Sequence, residues 1–260
     1  MKVSLQNKVV LITGASSGIG ALVAKLLADR GAIPVLTARS RDRMLELSSS
    51  IQGEHAVYEM DVSSEEQVLE VISQVQLRYG KIDVLLNNAG YGEFVPFTSA
   101  SLSHFEQMMD VNYMGVVRCT HAVLPDMIQS GSGHIVNVAS IAGKLATAKS
   151  TGYSATKHAV LGLTNALRQE LRGTGVMISA VNPGPIDTPF FHRADPEGTY
   201  VHNIRWYMMS PDKVAKGIVS VIERRNAERD LPMTAAIGVR FVQLFPRISD
   251  ALFGRFMNKK

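Results

Sequence analysis

The stretch KVVLITGASSGIGALVAKLL, residues 8–27, changes period partway along, and that change decides the fold. KVVLIT, 8–13, is a short β-branched run, after which Leu22, Leu26 and Leu27 recur at helical spacing. Gly14, Gly18 and Gly20 lie at the changeover, where the chain must turn. The same alternation continues outward through IPVLTA (33–38), HAVYEMD (55–61), IDVLLNN (82–88), GHIVNVAS (133–140) and GVMISAVNP (175–183). Segments of helical length and periodicity separate these runs, one of them carrying Val68, Val71, Ile72 and Val75. Strands that alternate with helices build a parallel sheet covered on both faces. The expectation is an α/β chain with one doubly wound sheet, and no linker or internal repeat divides residues 1–260 into further domains.

Composition agrees with one large core. The 260 residues are 46% hydrophobic and 19% charged, which suits a globular chain and excludes a disordered or fibrous one. The net charge is +4, but apart from Arg39, Arg41 and Arg43 and the pair Arg224 and Arg225 the basic residues are scattered. Scattered charge reads as solvated surface and argues against nucleic acid as a partner. Cys119 is the only cysteine, which excludes an internal disulfide and a cysteine-built metal site and fits a reducing cytoplasm. MKVSLQNKVVLITG passes straight into the first β-branched run, with no room for a secretory signal, and no apolar run reaches the roughly 18 residues of a membrane span. A cytoplasmic location is the expectation.

Sheets of this kind bind ligands outside the carboxyl ends of their strands. TGASSGIG, 13–20, ends the first strand there. Its glycines allow a tight turn and close approach of a pyrophosphate, and they start a helix whose N-terminal amides favour phosphate charge. The G-x-x-x-G-x-G spacing differs from the commoner G-x-G-x-x-G, and a plain strand-to-helix turn accounts for it equally well.

More motifs follow in order: DV at 61–62, NNAG at 87–90, Ser140 ending the fifth strand, Tyr153-x-x-x-Lys157, and NPGPIDT at 182–188. In this set and order the chain resembles the short-chain dehydrogenase/reductase family, in its compact branch, over about residues 5–225. The resemblance implies a single Rossmann-type dinucleotide-binding domain and a catalytic set of Asn112, Ser140, Tyr153 and Lys157. It implies cofactor contacts from Gly14, Ser16, Ser17, Gly18, Ile19 and Gly20, with Asp61 and Val62 lining the adenine and Asn88, Ala89 and Gly90 turning under the ribose. Pro183 and Gly184 would shape the backbone beside the nicotinamide, and Ile186 and Thr188 would meet its carboxamide. Ser140 matches the serine that orients the substrate, and Asn112 the asparagine that kinks a helix and anchors a water leading to the lysine. A homodimer or homotetramer through the helices around 101–129 and 152–172 is also implied.

The Tyr153 and Lys157 pair has its own physical reading. Residues four apart lie on one helix face, so the ammonium reaches toward the phenol and a ligand beside it. Bringing a phenol from a pKa of about 10 to about 7 takes roughly 4 kcal/mol. A unit charge about 4 to 5 Å away, at an effective dielectric of about 20, supplies roughly 3 to 4 kcal/mol. Lys157 with an oxidised nicotinamide would therefore suffice for acid or base work near neutral pH, and Lys157 alone nearly so.

The second strand ends VLTARS, with Ala38 where NAD-preferring members of the family often carry aspartate, followed by Arg39. A carboxylate there would repel a 2′-phosphate, whereas arginine forms forked, charge-assisted bonds to it. The preference for NADP over NAD would be about tenfold to hundredfold. Arg41 and Arg43 read as exposed helix residues. His134 and His158 lack a second ligand at metal spacing and read as structural, and no metal is needed where Tyr153 supplies the proton and NADPH the hydride.

Residues 189–210 match the family's substrate lid, and Phe190, Phe191, Tyr200, Trp206, Tyr207, Met208 and Met209 would suit an apolar carbonyl compound, with Tyr91, Phe94 and Phe97 as the opposite wall. The tail, 239–260, is amphipathic and basic, with Phe241, Leu244, Phe245, Ile248, Leu252, Phe253 and Phe256 among Arg240, Arg247, Arg255, Lys259 and Lys260, and it is broken by Pro246. Packing on the body or on another subunit is the plain reading, and weak contact with an anionic membrane surface the sharper one. The expected function is NADP(H)-dependent interconversion of a small-molecule carbonyl compound and its alcohol. A β-ketoacyl thioester reductase is the alternative within that class. Outside it stand a non-catalytic NADP sensor, which has no reason to keep Ser140, Tyr153 and Lys157 together, and a membrane-peripheral scaffold.

Overall fold

The computed structural model describes residues 2–245. Each β-branched run becomes a strand: β1 (Val9–Thr13), β2 (Ile33–Ala38), β3 (Ala56–Glu59), β4 (Val84–Asn87), β5 (Gly133–Val138) and β6 (Val176–Pro183). A further strand, β7 (Glu228–Leu231), completes one all-parallel sheet in the order β3-β2-β1-β4-β5-β6-β7. The helices between them are α1 (Gly18–Ala28), α2 (Arg41–Ser48), α3 (Glu65–Tyr79), α4 (Leu102–Met109), α5 (Gly115–Gln129) and α6 (Thr151–Glu170). The lid segment folds as α7 (Phe190–Ala194), α8 (Thr199–Ile204) and a 3-10 turn at Arg205–Tyr207, and α9 (Pro211–Arg224) and α10 (Met233–Leu244) follow.

Side chains of a strand alternate between faces, so one strand feeds two cores. Val10 and Ile12 of β1 join Val23 and Leu27 of α1 and Val214 and Ile218 of α9. Val9 and Leu11 enter the other layer, with Val68 and Val75 of α3 and Cys119 and Val123 of α5. Full burial on both faces is why β1 reads as an unbroken apolar run. The chain winds outward from β1 to β3, then returns to place β4 on the other side of β1. That reversal opens a crevice at the carboxyl ends of β1 and β4, where ligands bind in such sheets.

The structure departs from the sequence expectation in three places. β7 reads ERDL, with no apolar run to announce it, because its Glu228 and Asp230 are both paired with Lys144. Between α4 and α5 the backbone widens into one π-helical segment, Asp110–Met114, with Asn112 inside it. α10 begins at Met233, ahead of the expected tail boundary at 239, and residues 246–260 lie outside the described residues. Among the described residues no helix is long and apolar enough to cross a membrane.

Candidate active site

The cradle at the end of β1 is tied to β4 through Thr13. Its buried Oγ1 accepts the backbone N–H groups of Asn88 at 2.9 Å and Ala89 at 3.0 Å. Asn88 Nδ2 donates in return to the carbonyl oxygens of Thr13 at 3.0 Å and Gly14 at 3.2 Å. Gly14 and Gly18 take φ of 67° and 57°, the left-handed region open to glycine. A Cβ at Gly20 would lie 2.5 Å from the Gly14 oxygen, so this glycine is required for close approach rather than for its dihedral. Ser17 caps α1 without a side-chain hydrogen bond, and the first-turn amides of a helix favour phosphate charge. Ser16 lies in the same loop, and Ile19 turns back to pack on the core beneath it.

Ala38 ends β2 buried, and Arg39 leaves it exposed, with no hydrogen bond or ion pair among the described residues. Beyond β3, Asp61 Oδ1 accepts from the Ser63 N–H at 2.9 Å and from its hydroxyl at 2.7 Å, and Val62 is buried. A cradle that a Cβ would fill, a helix N-terminus and an exposed arginine directly after Ala38 fit a dinucleotide phosphate.

Ser140 follows β5. Its Oγ is 3.3 Å from the Pro183 oxygen and accepts the Ala142 N–H at 3.0 Å. It also stands close enough to Tyr153, at the start of α6, to favour the ionised phenol. Lys157, one turn on and only 6% exposed, donates from Nζ to the Val138 oxygen at 2.9 Å and lies 5.7 Å from the centre of the Tyr153 ring. Burial pushes the Tyr153 hydroxyl up to about 12, with Ser140 acting the other way, and burial lowers Lys157 to about 8. Tyr153 is therefore neutral at pH 7 in the protein by itself.

Asn112 is fully buried and spans two elements. Its Oδ1 accepts the Tyr91 N–H at 2.9 Å, and its Nδ2 donates to the Tyr91 oxygen at 2.8 Å and to Thr156 Oγ1 at 3.1 Å. The side chain thereby fixes the loop after β4 to the helix that carries Tyr153 and Lys157. A Cβ at Gly90 would lie 3.0 Å from Asn112 Oδ1 and 3.7 Å from Lys157 Nζ, so this turn passes directly over both. Gly184 N–H donates to the Leu231 oxygen at 2.7 Å, Ile186 bridges to Met209 to close the base of the 189–210 segment, and Thr188 reaches over Gly18.

An aromatic wall stands on Tyr153. Phe190 of α7 is 5.5 Å from its ring and Phe94 6.3 Å, and Phe94 meets Tyr200 edge-on at 5.1 Å. Of the three residues expected opposite the lid, only Phe94 joins this wall. Tyr91 is covered by the Arg193 guanidinium at 3.6 Å, and Phe97 is exposed and leans on Phe105. Trp206 is likewise exposed and packs on Tyr207. Glu93 joins the wall's two sides, accepting from Arg193 of α7 at 2.6 Å and pairing with His104 of α4 at 2.9 Å.

His134 Nε2 lies 2.7 Å from Ser179 Oγ, and His158 Nδ1 2.8 Å from the Ser154 oxygen, so both rings serve the framework. Among the described residues no group of three His, Cys, Asp or Glu side chains could hold a metal. Sequence reasoning missed Thr13 as the tie between β1 and β4. It also missed the Lys144 network behind Ser140, in which Asn182 Nδ2 donates to both Glu228 and Asp230. The only local signal for Thr13 was its place directly before the first glycine.

Residues 8–198 match the family model described as short chain dehydrogenase. An uncharacterized oxidoreductase of Staphylococcus saprophyticus is 44% identical over 191 residues, 72% of this chain and 82% of the relative. The crystal structure of a short chain dehydrogenase/reductase from Burkholderia phymatum in complex with NAD superposes with a TM-score of 0.88 at 26% identity, covering 95% of this chain and 96% of that one. The closed form of a serine dehydrogenase complexed with NADP+ gives a TM-score of 0.79 at 29% identity, over 87% of this chain and 95% of that one.

Proposed function

The chain belongs to the short-chain dehydrogenase family, and on that footing we propose that it reduces an apolar ketone or aldehyde with NADPH, or oxidises the alcohol in reverse. It is an oxidoreductase of a family that uses NAD or NADP, and the choice between them, the substrate and the residue roles are our reading. The observation that carries it is Ser140 set beside Tyr153, with the Lys157 ammonium one turn along α6, at the strand edge that also bears the glycine cradle.

When bound, NADPH supplies a hydride to the carbonyl carbon. Ser140 Oγ holds the carbonyl oxygen, and Tyr153 releases its phenolic proton to that oxygen as negative charge develops there. A phenol held at about 12 begins fully protonated, which suits the reductive direction. Lys157 would hold the ribose hydroxyls of the bound cofactor and offset the phenolate left behind. Asn112 is a positioning residue, since it acts by fixing the Tyr91 loop to α6. Arg39 receives the 2′-phosphate, and Phe94, Phe190 and Tyr200 exclude water around an apolar substrate.

The test is NADPH oxidation against aliphatic aldehydes, bulky cyclic ketones, sugars and β-ketoacyl thioesters, with Tyr153→Phe measured in parallel. Turnover in the variant should fall by about 10²- to 10⁴-fold, with NADPH affinity unchanged. Near-wild-type turnover in Tyr153→Phe would overturn the assignment.

A further inference from the structure

α10 presents an apolar stripe to solvent. Met233 is 73% exposed, Ile237 72%, Phe241 39% and Leu244 72%, and at 3.6 residues per turn the four fall within an arc of about 80°. The opposite side is the one that packs, with Val239 buried and Ala235 and Val242 half-buried. The stripe is therefore additional to what the fold needs for its core, and such a patch marks a binding surface.

Its position and charge say what it binds. The strands are all parallel, so the segments that follow β6 and β7 leave from the same edge of the sheet. Trp206, 76% exposed, lies on the first of these segments and α10 on the second, and Gln243 of α10 donates to the Lys144 oxygen in the loop after Ser140. An exposed tryptophan suits the level of lipid headgroups. From Leu231 to Ser249 the sequence has no acidic residue, and from Arg240 onward it adds Arg247, Arg255, Lys259 and Lys260 against Asp250 alone. An apolar stripe on a helix that carries exposed Arg240 and no carboxylate is complementary to an anionic lipid surface. A second copy meeting the stripe by two-fold symmetry would set one Arg240-bearing helix with no carboxylate against another. One helical stripe also falls short of the roughly 20 to 30 residues a side of a stable protein contact.

We propose that α10 docks the protein on anionic lipid surfaces through Met233, Ile237, Phe241 and Leu244, with the substrate-side edge of the sheet turned toward the lipid. The proposal is independent of the reaction assigned above. Its test is co-sedimentation of the full chain with phosphatidylglycerol-rich vesicles and with phosphatidylcholine vesicles, at low and high salt. The protein should pellet with the anionic vesicles at low salt and be released as salt rises. Ile237→Asp should weaken that binding by about tenfold or more with its thermal unfolding midpoint unchanged, and Arg240→Glu should weaken it severalfold should the first variant not fold. Wild-type protein left in the supernatant at low salt overturns the proposal, as does pelleting that neither variant reduces. Light scattering that shows a dimer dissociated by Ile237→Asp also overturns it, because a second copy then covers the stripe.

Discussion

Arg39 and Tyr153 illustrate how differently two site residues depend on their surroundings. Arg39 is exposed at the end of β2 beside buried Ala38 and pairs with no carboxylate among the described residues, so its charge is available to a ligand without first breaking such a pair. Arg39→Ala should weaken NADPH binding by about tenfold to hundredfold and leave NADH binding nearly unchanged, as read by fluorescence titration. Equal losses for both would remove Arg39 from the 2′-phosphate. Its place was legible because a strand end and the residue after it are local facts. The state of Tyr153 was not, since it is set by burial under Phe94 and Phe190, neither adjacent in sequence. The Lys144 to Asp230 contact spans 86 residues, and no spacing rule reaches that far.

At the scale of elements, α7 holds the site closed. A Cβ on Gly92 would lie 2.6 Å from Phe190 Cζ and 3.1 Å from the Tyr153 ring, so the loop, the lid helix and the tyrosine are in close contact. Removing the Phe190 ring opens that contact without touching the proton donor. Phe190→Ala should raise kcat/KM for bulky cyclic ketones relative to small aldehydes by about 2- to 10-fold, the range expected for one aromatic contact. An unchanged ratio across the panel would assign Phe190 to packing alone. Of the first six strands, five were readable as apolar runs because their faces are buried, and β3, half-buried at the edge of the sheet, was readable from its place in the alternation. β7 was not, because an edge strand can carry Glu228 and Asp230 where Lys144 and Asn182 satisfy them. The aromatic content of 189–210 was legible, but which rings face inward was not: Phe190 and Tyr200 do, and Trp206 faces solvent.

For the molecule as a whole, one buried histidine couples stability to pH. Ser179 donates to the Asn226 oxygen at 2.7 Å, so His134 must donate its Nε2–H to Ser179, and the imidazole is neutral. Burial, with Arg225 nearby, lowers His134 to about 3 from the usual 6.5. Below about pH 6.5 the unfolded chain takes up a proton that the native one refuses, so stability falls with pH, by about 1.4 kcal/mol per unit, until about pH 3. Above pH 6.5 the group contributes no slope. His134→Gln keeps a donor and removes the titration, so between pH 7 and 5 its urea unfolding free energy should fall by about 2 kcal/mol less than that of the wild type. Equal losses would show that other groups carry the acid sensitivity. The alternation of runs announced one parallel sheet, but the strand order is a matter of long-range pairing that periodicity does not encode.

The left-handed glycines also divide the molecule. Gly14 and Gly18 serve the edge that bears the site, whereas Gly53, Gly80, Gly131 and Gly173 turn the chain at the far edge, ahead of β3, β4, β5 and β6. At Gly53, Gly80 and Gly173 an added Cβ would meet nothing within 4 Å. Those turns only return the chain to the sheet, so they are where foreign sequence is best grafted, whether an affinity peptide, a fluorophore or a tether to a second enzyme. The architecture thus separates the part of the protein that selection must guard from the part that an engineer, or an insertion during evolution, is free to rewrite.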